Sequence, residues 1–524
     1  MNPALRKITS SLFLFLPVAA QTSDGIGQLS RYQAKGAEIF QFHPESQRVY
    51  STASDQVQGV EIIDFSEVAA PKQIALVDFG QAFSGVKLDS VASVAIDPTQ
   101  RGLGAAALIP EDSNLHPGKV GFFDLQTGAI LGHVEVGYHP DSLTFSPDGR
   151  YIYVANEGEF ASRGPQVPGS ISLIDLSTLT ALSEVATLPA ETFDFSSQHL
   201  ADGVDLSGLR SNQPGAAPGI ILEPEYVIGV GDKAYVSIQE SNAVGVFDAR
   251  SKKWVAVHDL LTRTHDIDPS DRDDKAERFE TVPEGRLHHI PMPDMIAAYE
   301  TGGQSYILTA NEGDAHPDGR DNSRVGKLGK KGYPALNRTY KRELSELYGP
   351  HTFKNAKLGR LEVSVVDGLN EQGEIVQLHT FGSRSFSILN AGTGEIVYDS
   401  GSDFEMISAR LGGKNYNANQ ESGDFDSRSD AKGPEPEAVT VGRIDGRAYA
   451  FIAMERSGFV FIYDITDPSA ARYVSMIDTL GRKGLDVGPE FLQFIPAADS
   501  PNGLDILLVG FEVSQTITAY TIAF

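Results

Sequence analysis

From about residue 37 to the end of the chain, apolar positions fall in short runs broken by Gly, Pro, Asn and Asp, and helical periodicity is scarce. One stretch sets the unit. In "HPDSLTFSPDGRYIYVANEGE", residues 139–159, an alternating run meets an Asp-Gly turn, and a second run ends in Asn-Glu. "GSISLIDL", from 169, reads as a third strand. The pieces recur as "EPEYVIGVGDKAYVSIQESNAVGVFDAR" from 223 and "PDMIAAYETGGQSYILTANEGDA" from 293. They return in "EPEAVTVGRIDGRAYAFIAMERSGFVFIYDITDP" from 435 and in the closing run from 489. Weaker copies start at 38 and 89, which makes seven units of about four strands each.

Sheets repeated at this spacing, none able to bury its own faces, predict an all-β protein: a single seven-bladed β-propeller with loop insertions, spanning 21–524. The insertions are expected at about 177–222, 251–290, 316–378 and 402–434, with "SRSFSILNAGTGEIVYDS" resuming the outer strands of the fifth unit.

Aligning the seven first strands exposes a chemical pattern. An acid opens each one: Glu38, Asp89, Asp141, Glu225, Asp294, Glu437 and Glu490, with Pro directly before it in five units. A second series closes the adjacent strand: Asp55, Glu111, Glu157, Glu240, Glu312, Glu455 and Glu512. First strands line the channel of a propeller, and their antiparallel neighbours end where they began, so both series are expected at one mouth near the axis. Glu223 and Glu435, each one residue before a proline, and Asp314 add to the crowd. So many carboxylates cannot all remain ionised and unpaired. Oxygen-only ligands without cysteine favour a hard divalent metal, Ca²⁺ ahead of Mg²⁺ or Mn²⁺. The competing expectation is that these acids only cap turns or bond the neighbouring blade's backbone.

Charge and composition narrow the partners. The net charge is −27, and loss of a leader carrying Arg6 and Lys7 leaves about −29, which repels nucleic acid and anionic membranes and draws cations. Residues 1–20, with a basic start and the run "LFLFLPVAA", read as a secretory signal peptide, too short to span a bilayer. No later run is long enough for a membrane span, and "ITAYTIAF" reads as a final strand. With no cysteine, disulfides and thiol chemistry are excluded.

Other constellations are weaker. "GDFDSRSDAKGPE" sets Asp424, Asp426, Asp430 and Glu435 at the offsets of an EF-type loop, but Arg428 and Ser429 stand where a ligand and the turn glycine belong. "DIDPSDRDDKAE", 266–277, reads as a solvated acidic loop. Segment 316–360 holds eleven Lys or Arg against four acids and reads either as a lid over the mouth, with Arg320 and Arg324 facing an anionic small molecule, or as a plain surface loop. Arg384 and Arg428 are the candidate catalytic residues, as partners for carboxylate or phosphate. The histidine pair at 288–289 reads as loop or core, "NRT" at 337–339 is a glycosylation sequon, and no G-x-S-x-G, H-E-x-x-H or P-loop occurs.

"DSGSDFE", "FDSRSDAKGPEPE", "TANEGDA", "DITDP" and the closing "GPE…FIPAADSPNG" resemble the choice-of-anchor I family, related to mesenchyme-specific cell-surface glycoproteins implicated in biomineralisation. Single units such as "SPDGRYIYVAN" also resemble the YVTN propeller repeat. The resemblance implies an exported propeller, secreted, periplasmic or extracellular, often tethered by varied C-terminal anchors. None follows the last strand, which points to a released protein. Three functions stand open. The first is a calcium-binding propeller handling matrix or mineral. The second, prompted by an alkaline-phosphatase label on some relatives, is a metal-dependent phosphoesterase using metal-activated water. The third is a lactonase-like hydrolase, by fold analogy alone.

Overall fold

Seven four-stranded antiparallel sheets follow one another around an axis. They belong to a computed structural model that describes residues 25–53, 57–159, 165–213, 215–273, 286–330, 332–411, 413–419, 423–479 and 486–524. The leader and Asp55 lie outside them. The channel-lining strands are Phe40–His43, Leu88–Ile96, Pro140–Phe145, Pro224–Val230, Ile296–Thr301, Pro436–Ile444 and Pro489–Ile495. They open blades 1 to 7 in that order. The protein is a seven-bladed β-propeller.

Blade 7 is a composite. Its inner three strands come from the C-terminal end, and its outer strand is Ile26–Gln33, paired antiparallel with Thr516–Ile522 from Ile26↔Ile522 to Gln33↔Thr516. The sequence reading began its strands at residue 37 and missed this one. An outermost strand has one neighbour and a wet face, so "IGQLSRYQ" carries little of the apolar signal that marks inner strands. Pairing an early strand with the last one closes the ring.

Burial is greatest between blades. One apolar cluster joins blades 6, 7 and 1 through Phe40, Phe451, Phe491 and Leu508, and another joins blades 3 and 4 around Trp254. Polar side chains also tie blade to blade. Gln493 of blade 7 accepts from Phe42 N of blade 1 at 2.7 Å, and Gln41 accepts from Ile96 N of blade 2 at 2.9 Å. Ser93 and Ser142 do the same for Leu143 N and Val227 N, at 3.4 and 3.3 Å. The inter-blade role that the competing expectation gave to acids is thus filled, at these four junctions, by neutral residues.

Antiparallel order fixes which face carries the long connections. Links from second to third strand, and from one blade to the next, leave on the face where first strands begin. The segments Asp194 to Pro224, Asp259 to Ile296, Asn311 to Ser385 and Asp399 to Pro436 all do so. The expected insertions at 177–222 and 251–290 are narrower than read, because outer strands Ala190–Asp194 and Lys253–Asp259 lie inside them. Two of the connections build a small module with its own core, including Ile267, Leu287, Leu344, Leu361 and Leu378. Its frame is a parallel pair, Leu287–Ile290 with Leu378–Phe381, and the helix Arg338–Tyr348. Asn337 caps that helix, accepting from Thr339 N at 3.0 Å and donating to Glu374 at 2.8 Å, so the sequon asparagine is already engaged.

Candidate metal centre at the propeller mouth

In five blades a local irregularity of the first strand sets the direction of its acid. In blades 2, 3, 4, 6 and 7 the pairing register slips just where the acid sits, between Leu88 and Ser90, Pro140 and Ser142, Pro224 and Val227, Pro436 and Val439, and Pro489 and Phe491. The acid is the bulged residue, and a bulge re-aims a side chain out of the regular alternation. Proline contributes no ladder donor, so it tolerates this position. The residue before it turns left-handed at His139 (φ 48°), Met292 (φ 50°), Glu435 (φ 57°) and Gly488 (φ 80°).

A cavity of about 230 Å³ opens at this mouth, with room for several waters. Glu38, Asp141, Glu157, Glu225, Asp294 and Glu490 line it, from five different blades, beside Gln239, Ser142 and Tyr226. Among the described residues, four groups of side chains bring ligand atoms within 4.8 Å of one another: His139–Asp141–Glu157, Asp294–Glu312–Glu437, Glu312–Glu435–Glu455 and Glu455–Glu490–Glu512. Such spacing allows shared coordination of one ion.

Crowding is written into the protonation states. Burial, then the charges of Asp141 and Glu512, push Glu38 up to about 8. Burial likewise lifts Glu240 to about 8, with Asp314 adding to it, and Glu455 to about 8, helped by Glu435 and Glu312. Asp141 rises to about 6, burial outweighing the relief from His139. Glu157, Glu225 and Glu490 stand well above the usual carboxylate range, through burial first and then through the charges of Asp141, Glu240 and Glu455 respectively. Glu437 is also held high by burial and by Glu312 and Asp294, and it shares a hydrogen bond with Asp294. Among the described residues its buried Oε2 has no hydrogen-bond partner, and neither has Oε2 of Glu240.

One wall of the mouth is different. Lys432 Nζ lies 2.5 Å from Glu312 Oε1, 3.2 Å from Glu435 Oε2 and 3.9 Å from Asp314 Oδ1. Arg428 Nε donates to Glu435 Oε1 at 2.9 Å, and Arg456 spans Glu435 Oε2 at 3.4 Å and Glu455 Oε1 at 2.9 Å. Although burial opposes it, these three cations hold the Glu435 carboxyl down at about 2. The Glu312–Glu435–Glu455 group therefore already has its cation, an ammonium from the chain itself.

A family model described as the choice-of-anchor I domain matches residues 38–468, most of the chain. The chain belongs to the choice-of-anchor I family. Among curated proteins, this choice-of-anchor I chain is 31% identical over 189 residues to Gigasin-3a of Magallana gigas, covering 33% of this chain and 66% of that one. It is 26% identical over 218 residues to the mesenchyme-specific cell surface glycoprotein of Strongylocentrotus purpuratus, covering 37% and 28%. The matches thus span just under two thirds of the first relative and under a third of the second. Solved structures with similar architecture include Kuenenia stuttgartiensis hydrazine synthase, at TM-score 0.46 and 12% identity, covering 97% of this chain and 99% of that one. The WD40 repeats of RRP9 give TM-score 0.48 and 8% identity, covering 96% and 98%.

Within this choice-of-anchor I domain the remaining expected residues scatter. Asp89, Glu111 and Glu512 are exposed on the rim, Glu223 is buried at 4% exposure, and Asp314 is partly exposed beside Lys432. Arg384, read as a partner for carboxylate or phosphate, takes a carboxylate, but one away from the mouth, and is buried at 1% exposure. Its guanidinium pins Glu405 at 2.5 Å and the backbone oxygens of Asp268, Ser429 and Ala431 at 2.7, 2.8 and 2.8 Å. Arg428 is committed to Glu435, and Arg324 to Asp430 at 3.1 Å. The objection to an EF-type loop holds: Asp426 faces Asp268, Asp430 pairs with Arg360 at 2.6 Å, and Glu435 lies with Arg428, so these three acids are spent on different partners. Nor is the described part of the acidic loop, 266–273, simply solvated (274–277 lie outside the described residues): Asp268 is fully buried, bonded by Tyr416 OH at 2.8 Å, and pushed up to about 9 by burial and by Asp426 and Glu405.

Sequence reasoning missed His139 and Lys432. His139 stands one residue before Pro140, where two other blades carry Glu223 and Glu435, and that register was the available signal. Lys432 carried none, because only folding of the 400–435 connection brings it back onto blade 5.

Proposed function

We propose that this protein is an exported or cell-surface propeller that binds a divalent cation, Ca²⁺ first, at its carboxylate-lined mouth. The observation that carries the proposal is the Asp294–Glu312–Glu437 group, whose oxygens lie within 4.8 Å of one another while Glu437 Oε2 is buried and partnerless. A proton shared between Asp294 and Glu437 holds the place of an ion, and a divalent cation supplies the missing charge to both. All-oxygen donors suit Ca²⁺. Support for the location comes from the basic-apolar start of the chain and from the sea-urchin relative, named a cell surface glycoprotein. No helix among the described residues is long and apolar enough to cross a membrane. The mouth's charge fits a calcium-bearing matrix or mineral as partner. The phosphoesterase reading has no such support, since Arg384 and Arg428 are both committed to carboxylates.

The test is elemental analysis of the purified full chain, with p-nitrophenyl phosphate and bis-p-nitrophenyl phosphate assays before and after chelation. The proposal expects calcium near one or more per chain, lost to chelator, and no turnover. Chelator-sensitive turnover would move the reading to the hydrolase, and a chain without bound metal at millimolar Ca²⁺ would end it.

A further inference from the structure

We propose that His139, Asp141 and Glu157 form a second metal site in the cavity wall, one that selects a borderline ion, Zn²⁺ first, over Ca²⁺. The three side chains come from the bulge that opens blade 3 and from the end of its second strand, where Glu157 N donates to His139 O at 2.8 Å. Their ligand atoms lie within 4.8 Å of one another. His139 Nε2 is 3.6 Å from Glu157 Oε2, too long for a hydrogen bond. It is close to the roughly 3.4 Å between two ligands of a tetrahedral ion bound at about 2.1 Å.

The other ring nitrogen supplies the orienting contact. His139 Nδ1 lies 3.0 Å from Glu159 Oε2, on a half-exposed side chain outside the cavity. Histidines that bind metals commonly give their second nitrogen to a carboxylate in this way, which fixes the tautomer and aims the ligand nitrogen. An independent observation points to a missing ligand. Glu240 is 6% exposed, its Oε2 has no partner among the described residues, and it is one of the carboxyl groups crowding Glu157. An imidazole among carboxylates favours Zn²⁺ or Mn²⁺ where an all-oxygen group favours Ca²⁺. The two walls would then hold ions of different character. The inference stands apart from the calcium reading, and either can fail alone.

The experiment titrates the chelated full chain with Zn²⁺ against a chromophoric competitor, and with Co²⁺ for its visible spectrum. Wild type, His139→Gln, Glu159→Gln and Glu437→Gln are compared, with the Ca²⁺ response of the melting temperature as a second readout. The inference expects one Zn²⁺ per chain. It expects affinity to drop at least 100-fold in His139→Gln and about 10-fold in Glu159→Gln, both keeping their Ca²⁺ response. In Glu437→Gln the Ca²⁺ response weakens and Zn²⁺ binding does not. Absence of stoichiometric Zn²⁺, or equal binding in wild type and both blade 3 variants, overturns it. Should His139→Gln misfold, Glu159→Gln and the imidazole signature in the Co²⁺ spectrum decide.

Discussion

Two walls of one mouth solve the same electrostatic problem in opposite ways. On the blade 5–6 side, Glu312, Glu435 and Glu455 meet Lys432, Arg428 and Arg456, and Glu435 stays ionised. On the blade 3–4 side, Asp141, Glu157, Glu225 and Glu240 meet one another and His139. Arg210 gives that wall little, since it touches only the backbone oxygen of Glu240 and spends its charge on Asp321 and Asp367. Where the chain supplies a cation, burial of a carboxylate is offset. Where it does not, the carboxylates hold protons, and protons are what an incoming ion displaces. The contrast is sharpest within Glu435-Pro436-Glu437, where two glutamates two residues apart are driven in opposite directions, Glu435 down and Glu437 up.

The strongest way to break this comparison is to neutralise each of those glutamates in turn. Glu435→Gln leaves Arg428 and Arg456 facing a lost charge and should cost about 3–5 kcal/mol in chemical denaturation. Glu437→Gln mimics a protonated group and should stay within about 0.5 kcal/mol in cation-free buffer. Equal costs would contradict the assignment of charge states.

A pH series is the next largest effect. Glu38, Glu240 and Glu455 have folded-state values near 8, above the roughly 4.5 of the unfolded chain. Raised carboxylates favour the folded state while protonated, so their contribution is complete below about pH 4.5 and is lost as pH rises through about 8. Cation-free protein should therefore lose on the order of 3 kcal/mol between pH 5 and 8, and Ca²⁺ should flatten that slope. A melting curve indifferent to pH in this window counts against the crowded wall.

Lys432→Met removes the built-in ammonium while Arg428 and Arg456 still hold Glu435. We expect a loss of about 2 kcal/mol without cation. We also expect a gain in Ca²⁺ stoichiometry or affinity, read by calorimetry, as the vacated group takes an ion. Asn337→Ala serves as the control, in the small module and outside every carboxylate group of the mouth: it removes a helix cap worth about 1 kcal/mol and should leave the pH slope and Ca²⁺ response unchanged.

The propeller was legible because its signals are local. Alternation, Asp-Gly turns and a proline-acid start recur in the chain, and the same bulge that positions Asp141 positions Glu225, Glu437 and Glu490. The acidic mouth followed from strand order alone. What stayed hidden depends on chain returning from a distance. Ile26–Gln33 is a strand only because Thr516–Ile522 pairs with it, Lys432 reaches Glu312 across 120 residues, and Arg384 finds Glu405 inside a folded connection. A charged residue's sequence position shows its chemistry, but its partner decides whether that chemistry is spent.

The central claim is that mouth carboxyls left without a cation from the chain, Asp294 and Glu437 first, await a metal ion. Calorimetric titration of chelated full chain with Ca²⁺ at pH 7.5 tests it most directly, comparing wild type with Asp294→Asn/Glu437→Gln. The account predicts saturable binding in wild type, a proton released per ion as judged from buffers of different ionisation enthalpy, and at least a tenfold loss of affinity in the double variant. Wild type that binds no Ca²⁺, or binds it as tightly after both substitutions, contradicts the account.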